Sequence, residues 1–310
     1  MAQSQPRLHY VPCISQAGFH RMAYWEWGDS ANPRVLLCVH GLTRNGRDFD
    51  KVARTFADYY RVVCPDIVGR GASDTLINPD FYTVPQYMAD CVALLARINA
   101  DHIDYIGTSM GGLIGLGLAG WSALKVNSFA NAPTVFELPP YRFLFNKMVL
   151  NDVAPTIDEA ALKRIAKYVG QPQSYATFEE AVNRTKIRCA PFGPLNEEQW
   201  QEFTRVGLIE ANGQWQQKYD LSIAQAFEHE YSDETKNRIE ELMWNAYSHI
   251  PCPILVLHGE ESDLLSKKTV KKMQSMNDNT HVVSFAKQGH APTLLPDNQI
   301  TVLKDFLFDE

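Results

Sequence analysis

The stretch IDYIGTSMGGLIGLGLAG, residues 103–120, decides how this chain is read. It opens on an apolar run of strand character and turns through Gly107-Thr108-Ser109-Met110-Gly111. It then continues in small and aliphatic residues that suit a tightly packed helix. A G-x-S-x-G pentapeptide is common by chance. Between a strand and a helix it means more, because a serine on so sharp a turn needs glycines on both sides where neighbouring elements pass close. Such a turn presents the Ser109 hydroxyl at the carboxyl end of a sheet, and the helix that follows offers its first N–H groups to a developing oxyanion. Ser109 is the candidate nucleophile.

Two other readings of the same stretch are set aside. Residues 115–120 fit G-x-G-x-x-G, but they lie inside the helix and no strand runs directly into them, so they read as close packing and not as a nucleotide cradle. Residues 105–124 carry no charge and are long enough to span a bilayer. A buried strand, turn and helix account for them, and no membrane segment is predicted.

Working outward, short apolar runs recur at 35–41, 60–67, 147–153, 253–259 and 280–285. Near-continuous apolar character marks parallel strands covered on both faces. Helical patterns lie between them at 46–58, 84–99, 110–121, 266–276 and 297–307, and an antiparallel pair is expected at 8–13 and 20–27. This alternation predicts an α/β fold with a doubly wound, mostly parallel sheet. It breaks over 158–247, where helical periodicity continues with no strand run and Thr156 or Asp158 is placed to cap the first helix. Residues 1–157 and 248–310 are therefore read as a discontinuous core, and 158–247 as a helical cap. Residues 122–146 are read as an extra lid or surface insertion, because connections there are usually short.

A serine needs a base. Gly289-His290-Ala291-Pro292 follows the last strand, with glycine and proline that suit an exposed turn, and His290 is the candidate. For the acid that orients it, Asp263 follows the strand at 253–259 after a short loop and Asp152 ends the strand at 147–153. Asp263 is preferred and Asp152 is the alternative; either gives the chain order Ser, Asp, His. His40-Gly41-Leu42 ends the strand at 35–41 and leads into a loop that supplies a second oxyanion donor, so the expected pair is the backbone N–H of Leu42 and of Met110. Phe192, Trp200, Trp215 and Phe227 are read as the core of the cap or, alternatively, as the lining of an acyl pocket, and His40 is a further candidate for a substrate contact.

The 310 residues carry a formal charge of −7 and no run of Lys or Arg able to track phosphates, which excludes nucleic acid as a partner. Lys267, Lys268, Lys271 and Lys272 read as the wet face of a helix. Six cysteines without C-x-x-C or zinc spacing, and a start without an apolar signal region, lead to the expectation of a reducing cytoplasm. Oligomeric state leaves no signal.

At this point the chain resembles the α/β-hydrolase superfamily, in the branch of small capped hydrolases that includes carboxylesterases, C–C bond hydrolases and cofactor-free haloperoxidases. The features that carry the resemblance are HGLTRNGRDF (40–49), CPDIVGRGASD (64–74), GTSMGG (107–112), HGEESDLLS (258–266) and GHAP (289–292), in family order over nearly the whole chain. The resemblance implies eight strands, a helical cap after the sixth, and a triad with neither metal nor cofactor. It favours Asp263 as the acid. It also marks 66–74 as a structural turn, leaving Arg70 as a candidate substrate contact and Ser73 and Asp74 as structural. Relatives with an aspartate nucleophile are set aside by Ser109. The expected activity is cleavage of a small carboxylic ester through an acyl-enzyme. The same triad also serves C–C bond, lactone, amide or peracid chemistry, and a non-catalytic binding module is the rival from another class.

Overall fold

The computed structural model describes residues 5–100, 102–129, 144–227 and 232–309. The chain begins with β1 (Arg7–Ser15) and β2 (Gly18–Trp27), an antiparallel hairpin, followed by β3 (Arg34–Val39), α1 (Asp50–Phe56) and β4 (Arg61–Asp66). Next come α2 (Val84–Ile98), β5 (His102–Thr108), α3 (Met110–Phe129) and β6 (Lys147–Asn151). After β6 an inserted segment holds α4 (Glu159–Ala166), β7 (Ser174–Tyr175), α5 (Phe178–Arg188), α6 (Glu197–Gly207), β8 (Leu208–Ala211), β9 (Gln214–Gln217) and α7 (Asp233–Ser248). The chain closes with β10 (Ile254–Gly259), α8 (Lys267–Met276), β11 (Thr280–Phe285) and α9 (Asp297–Phe308).

Eight strands form one sheet in the order β1–β2–β4–β3–β5–β6–β10–β11, antiparallel at the hairpin edge and parallel from β4 onward. The expected α/β class and strand set are what the sheet shows. Its inner strands β3, β4, β5, β6 and β10 are hydrophobic on both faces because both are covered. Val35, Leu37 and Val39 of β3 pack on the side of α2, α3 and α8, whereas Leu36 and Cys38 face α1 and α9.

Two details differ from the sequence reading. The helix after Ser109 runs to Phe129, past the expected end at 121; residues 130–143, most of the expected insertion, lie outside the described residues. The inserted segment is not all helical, since β7, β9 and β8 form a small antiparallel sheet. Its hairpin turns at Asn212-Gly213, both with positive φ (52° and 71°), a tight-turn signature that was present in the sequence. An inserted segment that shares the core of the main domain, as its sequence leads one to expect, is what α7 shows: it packs against α3, where Gly120 lets the helices approach so closely that a Cβ would meet Ala246. The last helix of the expected cap thus shares the core of the main sheet, and Trp244 and Tyr247 are buried in it. Asp158 caps α4, accepting from the N–H groups of Ala160 and Ala161 at 2.9 and 3.1 Å.

Candidate active site

Ser109 sits between the end of β5 and the start of α3 with φ +52°, a left-handed conformation that costs a non-glycine residue on the order of 1–2 kcal/mol. The turn is held from both sides: Ser109 N–H donates to Asn151 O at 3.0 Å, and Leu113 N–H donates to Ser109 O at 3.1 Å. The flanking glycines are demanded by contact. A Cβ on Gly107 would lie 2.6 Å from the backbone of Gly111, and one on Gly111 would overlap the carbonyl of Val39. Met110 opens α3, where the first N–H groups of a helix have no intrahelical partner.

His290 comes from the loop after β11. Its Nε2 lies 2.8 Å from Ser109 Oγ and its Nδ1 lies 2.8 Å from Asp152 Oδ2. With Nδ1–H donating to the carboxylate, Nε2 is left to accept the serine proton. Asp152 is fully buried, and a buried carboxylate is tolerable only when its oxygens find donors. Besides His290 it accepts from Gly259 N–H at 3.0 Å and Ser262 Oγ–H at 2.6 Å. Its own φ is +56°, and its N–H is pinned to Leu257 O at 2.8 Å. Asn151 Nδ2 ties the groups together, donating to Thr108 Oγ1 at 3.0 Å and to Pro292 O at 2.8 Å.

The doubly wound sheet agrees with the comparisons. The model of the alpha/beta hydrolase fold matches residues 34–295. The chain belongs to the α/β-hydrolase family. It is 42% identical over 307 residues to a 3-hydroxybutyrate-oligomer hydrolase of Cupriavidus necator, covering 98% of each chain. A 3-oxoadipate enol-lactonase 2 of Acinetobacter baylyi is 25% identical over 238 residues, 77% of this chain and 74% of the lactonase. Among solved structures, an alpha/beta hydrolase from Novosphingobium aromaticivorans superposes with a TM-score of 0.79 at 32% identity, covering 99% of both chains. The expectation of an ester-cleaving serine hydrolase stands with that membership.

Within this hydrolase the preferred acid of the sequence reading is corrected. Asp263 does not reach His290. It is about half exposed and forms a two-pronged ion pair with Arg164 of α4, Nη2 to Oδ1 at 2.9 Å. The physical reason is strand order: β6 lies between β5 and β10, so the residue ending β6 stands beside the serine turn, whereas Asp263 is carried outward by its loop.

Of two further candidate substrate contacts, Arg70 is not among the residues lining the cavity over Ser109, and His40 lines it without exposed surface of its own. His40 is fully buried; its Nδ1–H donates to Gly41 O at 2.7 Å and its Nε2 accepts from Ile67 N–H at 2.9 Å. Burial pushes its pKa down to about 3, so it is a neutral brace for the Gly41-Leu42 loop. Arg70 is 1% exposed. It donates from Nε to Leu42 O at 2.8 Å and from Nη1 to Val68 O at 2.7 Å, with Nη2 3.6 Å from Met110 Sδ. Arg70 therefore bridges the two residues expected to donate to the oxyanion. As expected, Ser73 and Asp74 are structural: Ser73 Oγ accepts from Ala23 N–H at 2.8 Å, and Asp74 pairs with Arg21.

A cavity of about 590 Å³ opens over Ser109 and His290, within the range of small-molecule sites (about 300–1,000 Å³). Its floor is the sheet end with Leu42 and Thr108, and its roof comes from the inserted segment, including Phe192 and Phe203. Phe192 packs edge-on against Phe203 with centroids 5.7 Å apart, so it serves both the lining and the interior of that segment. Trp200 also belongs to that interior, whereas Trp215 packs in a small neighbouring cluster with Tyr175, Ala181 and Leu208 and touches Phe178 of the first. Sequence reasoning missed Ser262, Asn151 and Thr204 of the roof, though Arg188 of the cap is one of two cations it offers for a polar subsite. Only Ser262, inside HGEESDLLS, carried a signal.

Proposed function

We propose that this hydrolase cleaves the ester bonds of short 3-hydroxybutyrate oligomers, with Ser109 as nucleophile, His290 as general base and Asp152 as orienting acid. The observation that carries the reading is the continuous line Asp152–His290–Ser109, with 2.8 Å at each step, opening into a closed-over cavity. The full-length likeness to the Cupriavidus necator enzyme supports the substrate. His290 Nε2 takes the proton as Ser109 Oγ bonds to the ester carbon, and the oxyanion rests on the N–H groups of Leu42 and Met110. Collapse breaks the ester C–O bond, and His290 returns the proton to the departing hydroxyl. Water then adds to the acyl-enzyme by the same route and releases the acid and free Ser109. No step calls on a metal or cofactor. Residues 158–247 serve as a cap, apart from α7, which packs on the core. Six free, buried cysteines support a cytoplasmic setting. Among the described residues no helix is long and apolar enough to cross a membrane.

The test is fluorophosphonate labelling together with chromatographic assay of 3-hydroxybutyrate dimer and trimer. Wild type labels and releases monomer, while Ser109→Ala does neither, with turnover down by several orders of magnitude. Wild-type oligomer cleavage persisting in Ser109→Ala would sink the mechanism. Labelling without oligomer cleavage would sink the substrate.

A further inference from the structure

We propose that the roof of the cavity is a carboxylate subsite built on Arg188, so that the enzyme takes its oligomers by the free acid end. The proposal rests on the ester-hydrolase reading of Ser109 and adds the direction in which substrate enters. Three arginines line the cavity: Arg44, Arg164 and Arg188. Two are neutralised by carboxylates. Arg44 holds Asp48 through Nε and Nη2 at 2.6–3.0 Å, and Arg164 holds Asp263. Arg188, at the end of α5, is different. Its Nη1 meets the amide oxygen of Gln173 and the hydroxyl of Tyr175, both uncharged, and no carboxylate pairs with it among the described residues. Both bonds leave from Nη1, so Nε and Nη2 remain for the two-pronged grip that suits a carboxylate.

The surroundings are built for this. Gln173 is fixed in turn, its N–H donating to Gln217 Oε1 at 2.8 Å, while Gln217 Nε2 donates to Gln171 O at 3.0 Å. Thr204 of α6 lines the same cavity, is 1% exposed, and its hydroxyl has no protein partner among the described residues. A buried hydroxyl without a partner is uncommon and costs free energy, so this one points to a polar ligand atom. The acids on the cavity wall stand elsewhere: Asp48 and Asp263 are engaged, and Glu261 is on the core loop beside Gly289. With a net charge of −7 the protein as a whole repels an anionic substrate, so a local cation is needed to seat one. A linear hydroxy-acid oligomer carries one such charge, at its acid end. Gripped there by the roof, it lays a backbone ester toward Ser109 on the floor.

The experiment compares the free-acid dimer and trimer of 3-hydroxybutyrate with their methyl esters, in wild type, Arg188→Gln and Arg188→Lys. The ratio of kcat/KM for free acid over methyl ester should favour the acid in wild type and fall about 10–100-fold in Arg188→Gln, the loss lying in KM. Arg188→Lys should recover part of it, since the charge returns without the fork. An unchanged ratio in Arg188→Gln, or a wild type indifferent to the methyl group, overturns the proposal. If no oligomer is cleaved, the substrate reading fails first and the subsite is read separately. 3-Hydroxybutyrate should then compete with p-nitrophenyl butyrate in wild type and lose at least tenfold in inhibition constant in Arg188→Gln; equal inhibition overturns the subsite.

Discussion

Asp152 and Asp263 end two neighbouring stretches of chain at the same edge of one sheet, yet they live in different physical worlds. Asp152 is fully buried, with a constrained backbone and three side-chain or backbone donors on its carboxylate. Asp263 is about half exposed, and its partner Arg164 is equally so. The same contrast separates the floor of the cavity from its roof. On the floor Asp152 is dry and its donors are themselves fixed, and the His290 side chain is only 11% exposed. Toward the roof, Arg164 and Asp263 stay in contact with water, where a pair between two surface side chains contributes little to stability and its members can exchange partners. Catalysis needs the first environment, because an imidazole must be held in one tautomer and orientation. Admission of substrate is served by the second.

The sharpest way to break this comparison is to neutralise each aspartate. Asp152→Asn should lower kcat by about 10⁴, through loss of the correct His290 tautomer, while Asp263→Asn should change it by no more than a few fold. Steady-state kinetics on a p-nitrophenyl ester decide it. Large loss in Asp263→Asn with a silent Asp152→Asn would reverse the assignment.

A smaller effect is expected at Arg70, which holds Leu42 O and reaches Met110 without touching the cavity. Arg70→Met should lower kcat about tenfold with KM little moved. That is a fraction of the about 10²–10³ that loss of a whole oxyanion donor costs. Arg70→Lys should not restore it, because a lysine cannot bridge the same acceptors. A rise in KM at constant kcat would instead put Arg70 in substrate binding.

The smallest effect concerns stability. His40 is held neutral in the fold with its pKa lowered to about 3, against an ordinary 6.5 when unfolded. Between those values the unfolded chain binds a proton that the folded chain refuses, so folding stability falls as pH drops through this window and is intact above it. The slope is at most about 1.4 kcal/mol per pH unit. Urea unfolding from pH 7 to pH 4 should show it in wild type and show less in His40→Asn. Identical acid slopes in wild type and His40→Asn would count against a buried neutral His40.

Much of this molecule is written in local sequence. The glycines at 107 and 111 are required wherever a serine turn crosses a neighbouring strand, so Ser109 and its strand–turn–helix setting were legible from six or seven residues. The alternation of apolar runs with helical patterns set the parallel sheet, and Gly289-His290 announced its loop. What local sequence does not contain is which strand lies beside which. The order β5–β6–β10 puts Asp152, and not Asp263, next to the serine turn, and that order depends on contacts between segments more than a hundred residues apart. Burial is the other quantity that only the folded chain decides. Arg70 and His40 have the composition of substrate contacts and turn out to be dry braces, while Arg188, one of two arginines in α5, lines the cavity with no paired acid among the described residues. A residue's chemistry is set by its type, but its task is set by dielectric and neighbours, and those belong to the tertiary structure.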